Sequence, residues 1–372
     1  MFRTGPVTKP TEEKRPPRIV KTVQVRPTTE EITVTAYGTV IPARRVAIET
    51  EVSGRVIGMH PQLRPGGRIQ RDEELFTIDP TLAKLTLQQT EAELAGAEAN
   101  LQEAARKHRE AEQLVQERVV AETELASLEA ARRQQLAEME RLKARRDRDE
   151  EMLRRHVIRA PFNALVLDES VELSQRVDPG DLTVTLVGTD EYWVSAAVPT
   201  DKLPWIRLPA AGRTGASVKV EFDTGNGRMA AYDGEVLQLL GDLEEAGRMA
   251  RVLVRVHDPL RHQTAAGTPP LLLGSYVRVH FDAGRLEGVL AIDRTALREG
   301  DRIWVADANG RLQIRDVEVR WRKEETIYID TELRPGEALI VSDLRVALPD
   351  MEVEAHPADE AAPATAMTAT DS

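Results

Sequence analysis

The stretch Leu87-Gln-Gln-Thr90-Glu-Ala-Glu-Leu94-Ala-Gly-Ala97-Glu-Ala-Asn-Leu101-Gln-Glu-Ala104 carries an apolar residue every seven positions and a small one three later. His108, Ala111 and Val115 continue the pattern. Such spacing builds a helix with one a/d seam, and the Thr and Ala positions let a second helix come close. Upstream, Asp79-Pro80 is a start signal, with Asp as N-cap and Pro at the first helical position. The rhythm falters over residues 116–124 and resumes at Leu125, Leu128, Leu136, Met139, Leu142 and Leu153, with Thr123 or a neighbour as the expected second cap. Residues 80–155 therefore predict two antiparallel helices joined by a short turn, each arm on the order of 50 Å long. Glu91, Glu93, Glu98 and Glu103 on the first arm face Arg141, Lys143, Arg145, Arg146 and Arg148 on the second, so cross-arm ion pairs are expected to help set the register.

The flanks of this insert match each other. Before it stands Val46-Ala-Ile-Glu-Thr-Glu-Val-Ser-Gly-Arg-Val-Ile-Gly58, closing with Pro65-Gly-Gly67 and Leu75-Phe-Thr-Ile-Asp79. After it, Ile158-Arg-Ala-Pro-Phe162 opens a run that closes with Val177-Asp-Pro-Gly-Asp181 and Val184-Thr-Leu-Val-Gly188. Two β-halves around a helical rod imply one small β-domain interrupted at a hairpin tip, an arrangement suited to spanning a distance. Beyond Gly188 the alternation of period two persists in Tyr192–Val198, Val218–Phe222, Met249–Val256 and Tyr276–Phe281, and a last β-module runs from Ile303 to Val341.

Bulk composition narrows the function. A chain of 372 residues predicts two to four domains. The net charge of −12 argues against nucleic-acid binding, which needs a concentrated basic surface. Cysteine is absent, which removes disulfides, thiolate metal sites and a catalytic Cys. No apolar run reaches the ~18 to 20 residues that cross a bilayer, and residues 1–18 have no signal-peptide apolar core, so any membrane anchor is expected to lie outside this sequence. The seven histidines fall in different modules and form no helical His pair with a Glu between. The nearest grouping, His257-Asp258 with His262, reads as loop residues beside Pro259, and His108 reads as a polar seam residue. No phosphate-cradling glycine loop follows Gly225-Asn-Gly227, and no nucleophile elbow occurs. Neither an enzyme nor a resident cofactor is indicated.

The split β-domain resembles the biotinyl/lipoyl carrier fold, with the helical insert at the hairpin where a carrier holds its lysine. A carrier subunit and a plain coiled-coil scaffold are thus the rival classes. Taken with its insert, the domain resembles the HlyD-like periplasmic adaptor (membrane fusion) proteins of tripartite efflux pumps of the resistance-nodulation-division (RND) type. Further segments carry the likeness: Gly38-Thr-Val-Ile-Pro42, Gly54-Arg-Val56, Arg159-Ala-Pro-Phe162 with Asn163 fitting and Ala164 departing, Gly241-Asp-Leu243 through Arg248–Val254, Asp258-Pro259, and Leu273–Val279.

The resemblance implies a mainly β, elongated multidomain chain. Its parts would be a disordered linker (1–21), a membrane-proximal β-domain (22–45 and 290–355), a lipoyl-like domain (46–79 and 156–188) split by a long antiparallel α-helical coiled-coil hairpin (80–155), a β-barrel (189–289) and a disordered tail (356–372). Implied partners are an inner-membrane RND transporter, an outer-membrane channel and further copies in a trimeric or hexameric ring. The implied role is export of small molecules from a periplasmic, inner-membrane-associated position, with an adaptor of an ABC-type exporter or type I secretion system as the alternative. At the hairpin tip many such adaptors carry Arg, Leu and Ser against the channel. Aligned on Leu114, those positions hold Glu110, Leu114 and Ala121, so the expected contact set is Glu110, Leu114, Val115, Glu117, Arg118, Val119, Val120 and Ala121.

Overall fold

The computed structural model describes residues 17–117, 121–225, 228–244, 249–260 and 269–358. These residues are mainly β, with two long α-helices, and they divide into two compact units: residues 35–281, and the residues up to Val34 together with those from Asp282 on.

In the first unit the two β-halves interleave. One sheet orders Arg45–Glu49, Leu182–Gly188, Ala164–Glu169 and Arg68–Ile69; the other orders Val157–Arg159, Glu74–Ile78, Gly54–Met59 and Arg176–Val177. Each sheet thus takes two strands from before the helices and two from after them. Neither half has a sheet of its own to bury against, and the shared core of Val56, Leu75, Phe76, Ile78, Val166, Val184 and Leu186 exists only when both halves are present. The turn at Gly66 has φ +83°, and a Cβ at Gly67 would stand 1.9 Å from the Gln62 carbonyl, which explains the paired glycines.

The helices α1 (Thr81–Gln116) and α2 (Glu122–Arg154) leave this domain between its strands ending at Ile78 and starting at Val157. Asp79 takes the Thr81 amide at 3.0 Å and its hydroxyl at 2.6 Å, so its carboxylate serves the helix start as expected, although Pro80 holds the N-cap position. Those two bonds, the hydroxyl first, hold the Asp79 carboxyl below its ordinary value. At the second start the expected cap fails: Ala121 is the N-cap, Thr123 lies inside the helix, and Glu122 and Glu124 favour the helix dipole in the first turn instead.

A six-strand barrel follows, two of whose strands run on beyond residues 35–281. Ser217–Asp223, Met229–Glu244, Met249–His257, Glu191–Pro199, Pro27–Pro42 and Tyr276–Asp293 follow one another, and Val218 pairing with Phe281 closes the circle. Its inward residues alternate as Ala36, Val40, Val194, Ala196, Val198, Val252, Val254 and Val279, all buried.

In the second unit, strand Arg18–Val23 lies between Ala338–Ile340 and Val353–Pro357, the last pairing parallel to it. Leu312–Asp316 and Arg302–Ala306 complete a five-stranded sheet around Val20, Leu312, Ile340 and Val353. Two expected boundaries shift here. Strand Arg18–Val23 falls partly within the expected linker of residues 1–21, because Ile19-Val-Lys-Thr-Val23 can alternate into a sheet. The final strand likewise runs through His356 to Pro357, inside the expected tail. Burial, with Glu30 beside it, pushes the Tyr328 phenol up to about 12, while Glu30 pairs with Lys323 at 2.7 Å.

Phe76 is 1% exposed in the shared core. Phe76→Ala is expected to cost about 3 to 5 kcal/mol, read as a lowered urea midpoint of the full chain; a loss below about 1 kcal/mol would contradict the interleaved core.

Candidate functional site

The helix pair follows the heptad seam. Thr90, Ala97 and Ala111 of α1 and Leu142 of α2 are buried, and Leu87, Leu94, Leu101, Ala104, His108 and Val115 are half-buried, as are Leu125, Leu128, Leu136, Met139 and Leu153 opposite. Contacts at Thr90–Asp149 and Glu93–Arg145 show that the helices run in opposite directions.

At the base of the pair sits a polar lock that sequence inspection missed. The Thr90 hydroxyl donates to Asp149 at 2.8 Å, Arg148 donates to the other carboxylate oxygen at 2.9 Å, and Arg145 stands 3.9 Å away. Both Thr90 and the Asp149 side chain are nearly inaccessible to water. Burial alone would raise the Asp149 carboxyl, but the Thr90 hydroxyl and the two guanidinium groups outweigh it and hold the carboxyl below the ordinary aspartate value. The signal was available in part, since Thr90 breaks the Ala repeat of the seam. Asp149, however, sits amid an alternating charge run that reads as a solvated face.

The expected ladder of cross-arm ion pairs reduces, among the described residues, to Glu93–Arg145 at 2.9 Å. Other charges turn to neighbours on their own helix: Arg106 to Glu103 and Glu110, Arg141 to Glu138, Arg146 to Asp147 and Glu150. Partners three or four residues away are within reach without fixing a long side chain across the seam, so local pairing wins.

Toward the far end, Glu110 is exposed and accepts from Arg106 at 2.6 Å. Leu114 is 38% exposed, while Val115 returns to the seam half-buried. Exposed Glu117 follows the last residue of α1, its amide bonding to Gln113, and exposed Ala121 opens α2. These five residues therefore lie at one end of the pair; Arg118, Val119 and Val120 fall outside the described residues.

The other candidate chemistry does not assemble. His257 lies 3.9 Å from Glu235, and Asp258 adopts φ 44° at the edge of a polar cleft shared with His60, Asn163 and Asp190, while His262 is outside the described residues. Among the described residues, no group of three or more His, Cys, Asp and Glu is placed to hold a metal ion, and no helix is long and apolar enough to cross a membrane.

No family model matches the chain. The multidrug resistance protein MdtA of Klebsiella pneumoniae subsp. pneumoniae is 21% identical over 328 residues, spanning 87% of this chain and 77% of that protein. MdtA of Yersinia pseudotuberculosis serotype I is 22% identical over 328 residues, spanning 86% and 71%. Among solved structures, MacA from Actinobacillus actinomycetemcomitans matches with a TM-score of 0.54 at 15% identity, covering 87% of this chain and 100% of MacA. A MacA–MexA chimera containing the Pseudomonas aeruginosa MexA alpha-hairpin domain matches with a TM-score of 0.55 at 17% identity, covering 85% of this chain and 99% of the chimera. The chain is similar to the periplasmic adaptor, or membrane fusion, proteins of efflux pumps. The sequence similarity runs across both compact units, and the likeness to solved structures establishes the same fold.

Asp149 ties its charge to the stability of the helix pair. Because its folded value lies below the unfolded 3.8, its contribution is present above that pH and is lost as pH falls through the folded value. Thr90→Val is expected to cost about 1 to 3 kcal/mol at neutral pH, and thermal denaturation should show the deficit shrinking as pH drops below the ordinary aspartate value. A pH-independent deficit would contradict the lock.

Proposed function

We propose that this chain is the periplasmic adaptor subunit of a tripartite efflux pump of the RND type, linking and sealing an inner-membrane transporter to an outer-membrane channel for export of small molecules. The observation that carries the reading is the pair of 36- and 33-residue helices issuing from the hairpin of an interleaved β-domain. The multidrug-resistance name of its relatives points to the same class of cargo. The helices act as an antiparallel coiled-coil hairpin that carries position across an aqueous gap. The β-modules, repeated in a trimeric or hexameric ring, wall a conduit through head-to-tail contacts. Work is done by conformational coupling and sealing, without bond chemistry.

In this reading the hairpin end meets the channel through Glu110, Leu114, Val115, Glu117 and Ala121, with Arg118, Val119 and Val120 at the turn. Leu114 is the apolar anchor. Glu110, tied to Arg106, presents an anion where many adaptors present a cation, so the complementary channel surface carries a donor or a cation at that position. The domain assignment follows the same reading: lipoyl-like β-domain at 46–79 and 156–188, barrel at 189–289, membrane-proximal β-domain at 22–45 and 290–355. The chain works in the periplasm, associated with the inner membrane.

Deletion of residues 100–140 is expected to abolish export in a strain dependent on this protein while the β-modules stay folded; unchanged drug tolerance would overturn the proposal. Leu114→Asp is the finer test. It is expected to lower export about tenfold or more, with the melting temperature measured alongside to separate a lost contact from lost folding. Crosslinking from the barrel separates transporter classes, recovery of an ATP-binding-cassette permease favouring the alternative adaptor.

A further inference from the structure

On the outer face of the barrel the strand register builds a slot. Ala197 pairs with Tyr37 on one side and with Arg251 on the other, so the three stand in one row across neighbouring strands. Ser195 pairs with Thr39 in the row before, and Pro199 pairs with Met249 in the row after. Alternate residues of a strand share a face, so Ser195 and Ala197 floor a trench whose walls are longer side chains. Strands spaced about 4.8 Å apart put the two walls roughly 10 Å apart at their roots. Gly38 lets the strands close up beneath, since a Cβ there would stand 2.5 Å from the Ser195 carbonyl oxygen. The cavity measures about 450 Å³, within the range of small-molecule sites.

Both walls are flat. Tyr37 is 45% exposed and lies parallel to Tyr276 of the adjoining strand, with planes 1° apart and centroids separated by 5.7 Å. Opposite, Arg251 donates through Nε to one Asp242 oxygen at 3.2 Å and through a terminal nitrogen to the other, a two-point grip that orients the guanidinium plane. A phenol ring and a guanidinium both stack on aromatic rings, and the cation favours an electron-rich face. Among the described residues, Arg251 is the charged side chain that lines the slot, and Asp242 neutralises it. The charges beside the slot are engaged as well: Arg278 stands 5.8 Å from the Tyr37 ring centre, and Glu221 meets His280 at 3.2 Å. An ionic ligand would find no unmatched countercharge there.

Thr35, at one end of the slot, supplies direction. His280 faces the Glu221 carboxylate through Nε2 and the Thr35 hydroxyl through Nδ1, each at 3.2 Å. A carboxylate only accepts, so Nε2 carries the hydrogen, and in the neutral ring Nδ1 accepts from Thr35. The Thr35 oxygen therefore has its lone pairs left for a donor in the cavity.

We propose that this slot binds an uncharged, planar, electron-rich aromatic molecule, stacked between Tyr37 and Arg251 and donating an edge O–H or N–H to Thr35. The inference needs no part of the adaptor reading. The purified full chain is titrated calorimetrically with β-naphthol. Two comparison compounds are decahydro-β-naphthol, which lacks the flat face, and β-naphthoate, which adds a charge; each is expected to bind at least about tenfold more weakly. Tyr37→Leu is expected to weaken β-naphthol about tenfold, Tyr37→Phe to keep it, and Ala197→Leu to abolish it by filling the floor. Thr35→Val is expected to weaken β-naphthol about fivefold and to leave β-methoxynaphthalene, which has no donor, unaffected. Melting temperatures accompany each variant, and movement of the Tyr37 ring resonances of the wild type on adding β-naphthol tests the site even where a variant fails to fold. Absence of wild-type binding, equal binding of the saturated compound, or binding that neither Tyr37→Leu nor Ala197→Leu weakens overturns the proposal. Loss of export by Tyr37→Leu in a protein that ignores every probe also overturns it and assigns the face to a protein partner. Failure of the adaptor proposal would appear instead as normal export after removal of the hairpin.

Discussion

Pairing of Thr77 with Val157, sealed by the Ile78 amide on the His156 carbonyl at 2.8 Å, is the constraint on which the helix-bearing domain depends. It brings together chain positions separated by residues 78–156. As a flexible loop, that length would carry a closure cost in conformational entropy with no packing to offset it. Two helices that bury a common seam fold the excursion back on itself and return the chain to its starting point. The same pairing joins the halves of the β-domain, whose sheets each borrow strands from both sides of the insert. Helix pair and β-domain are therefore thermodynamically coupled, and a change in seam register is felt at the strand junction.

The seam meets this requirement by setting small residues among large ones. Ala97 and Ala111 bring the backbones close but bury little apolar area themselves, which leaves most of the hydrophobic gain to the leucines of both helices. The lock of Thr90 with Asp149 takes one of the small positions, near the root. A buried carboxylate is costly to leave unpaired, and it finds the Thr90 hydroxyl only in one alignment of the helices. It specifies register at the end where misregister would most disturb Thr77 and Val157. At the far end no such lock is found among the described residues, and the charges pair within each helix.

Much of this was legible in the sequence because it depends on periodicity. The seven-residue spacing from Leu87 to Val115, the twin β-runs ending at Asp79 and opening at Ile158, and the alternation in Tyr192–Val198 each report a face that must be buried. The cap at Thr123 and the cross-arm ion pairs were misread because several residues of the right kind compete locally, and geometry decides among them. Asp149 was illegible for a related reason: burial of a charge is decided by the opposite helix. Strand Arg18–Val23 was obscured by a Pro- and charge-rich approach, although its own residues alternate. Of the candidate tip, Leu114 and Glu110 followed only from the resemblance to adaptors, and the contact of Glu110 with Arg106 required coordinates.

A rod of this kind sorts its surface by position. Along its length, ion pairs three or four residues apart satisfy the charges and offer a partner little that is specific. Apolar surface faces water at Leu114, to which the heptad gives no place, and also at Leu82 and Leu85 near the other end of the first helix. The root is constrained differently, since Asp149 and the Ile78–His156 seal fix its geometry. A change of alignment between the helices thus reaches the β-domain through a register that the buried lock resists changing.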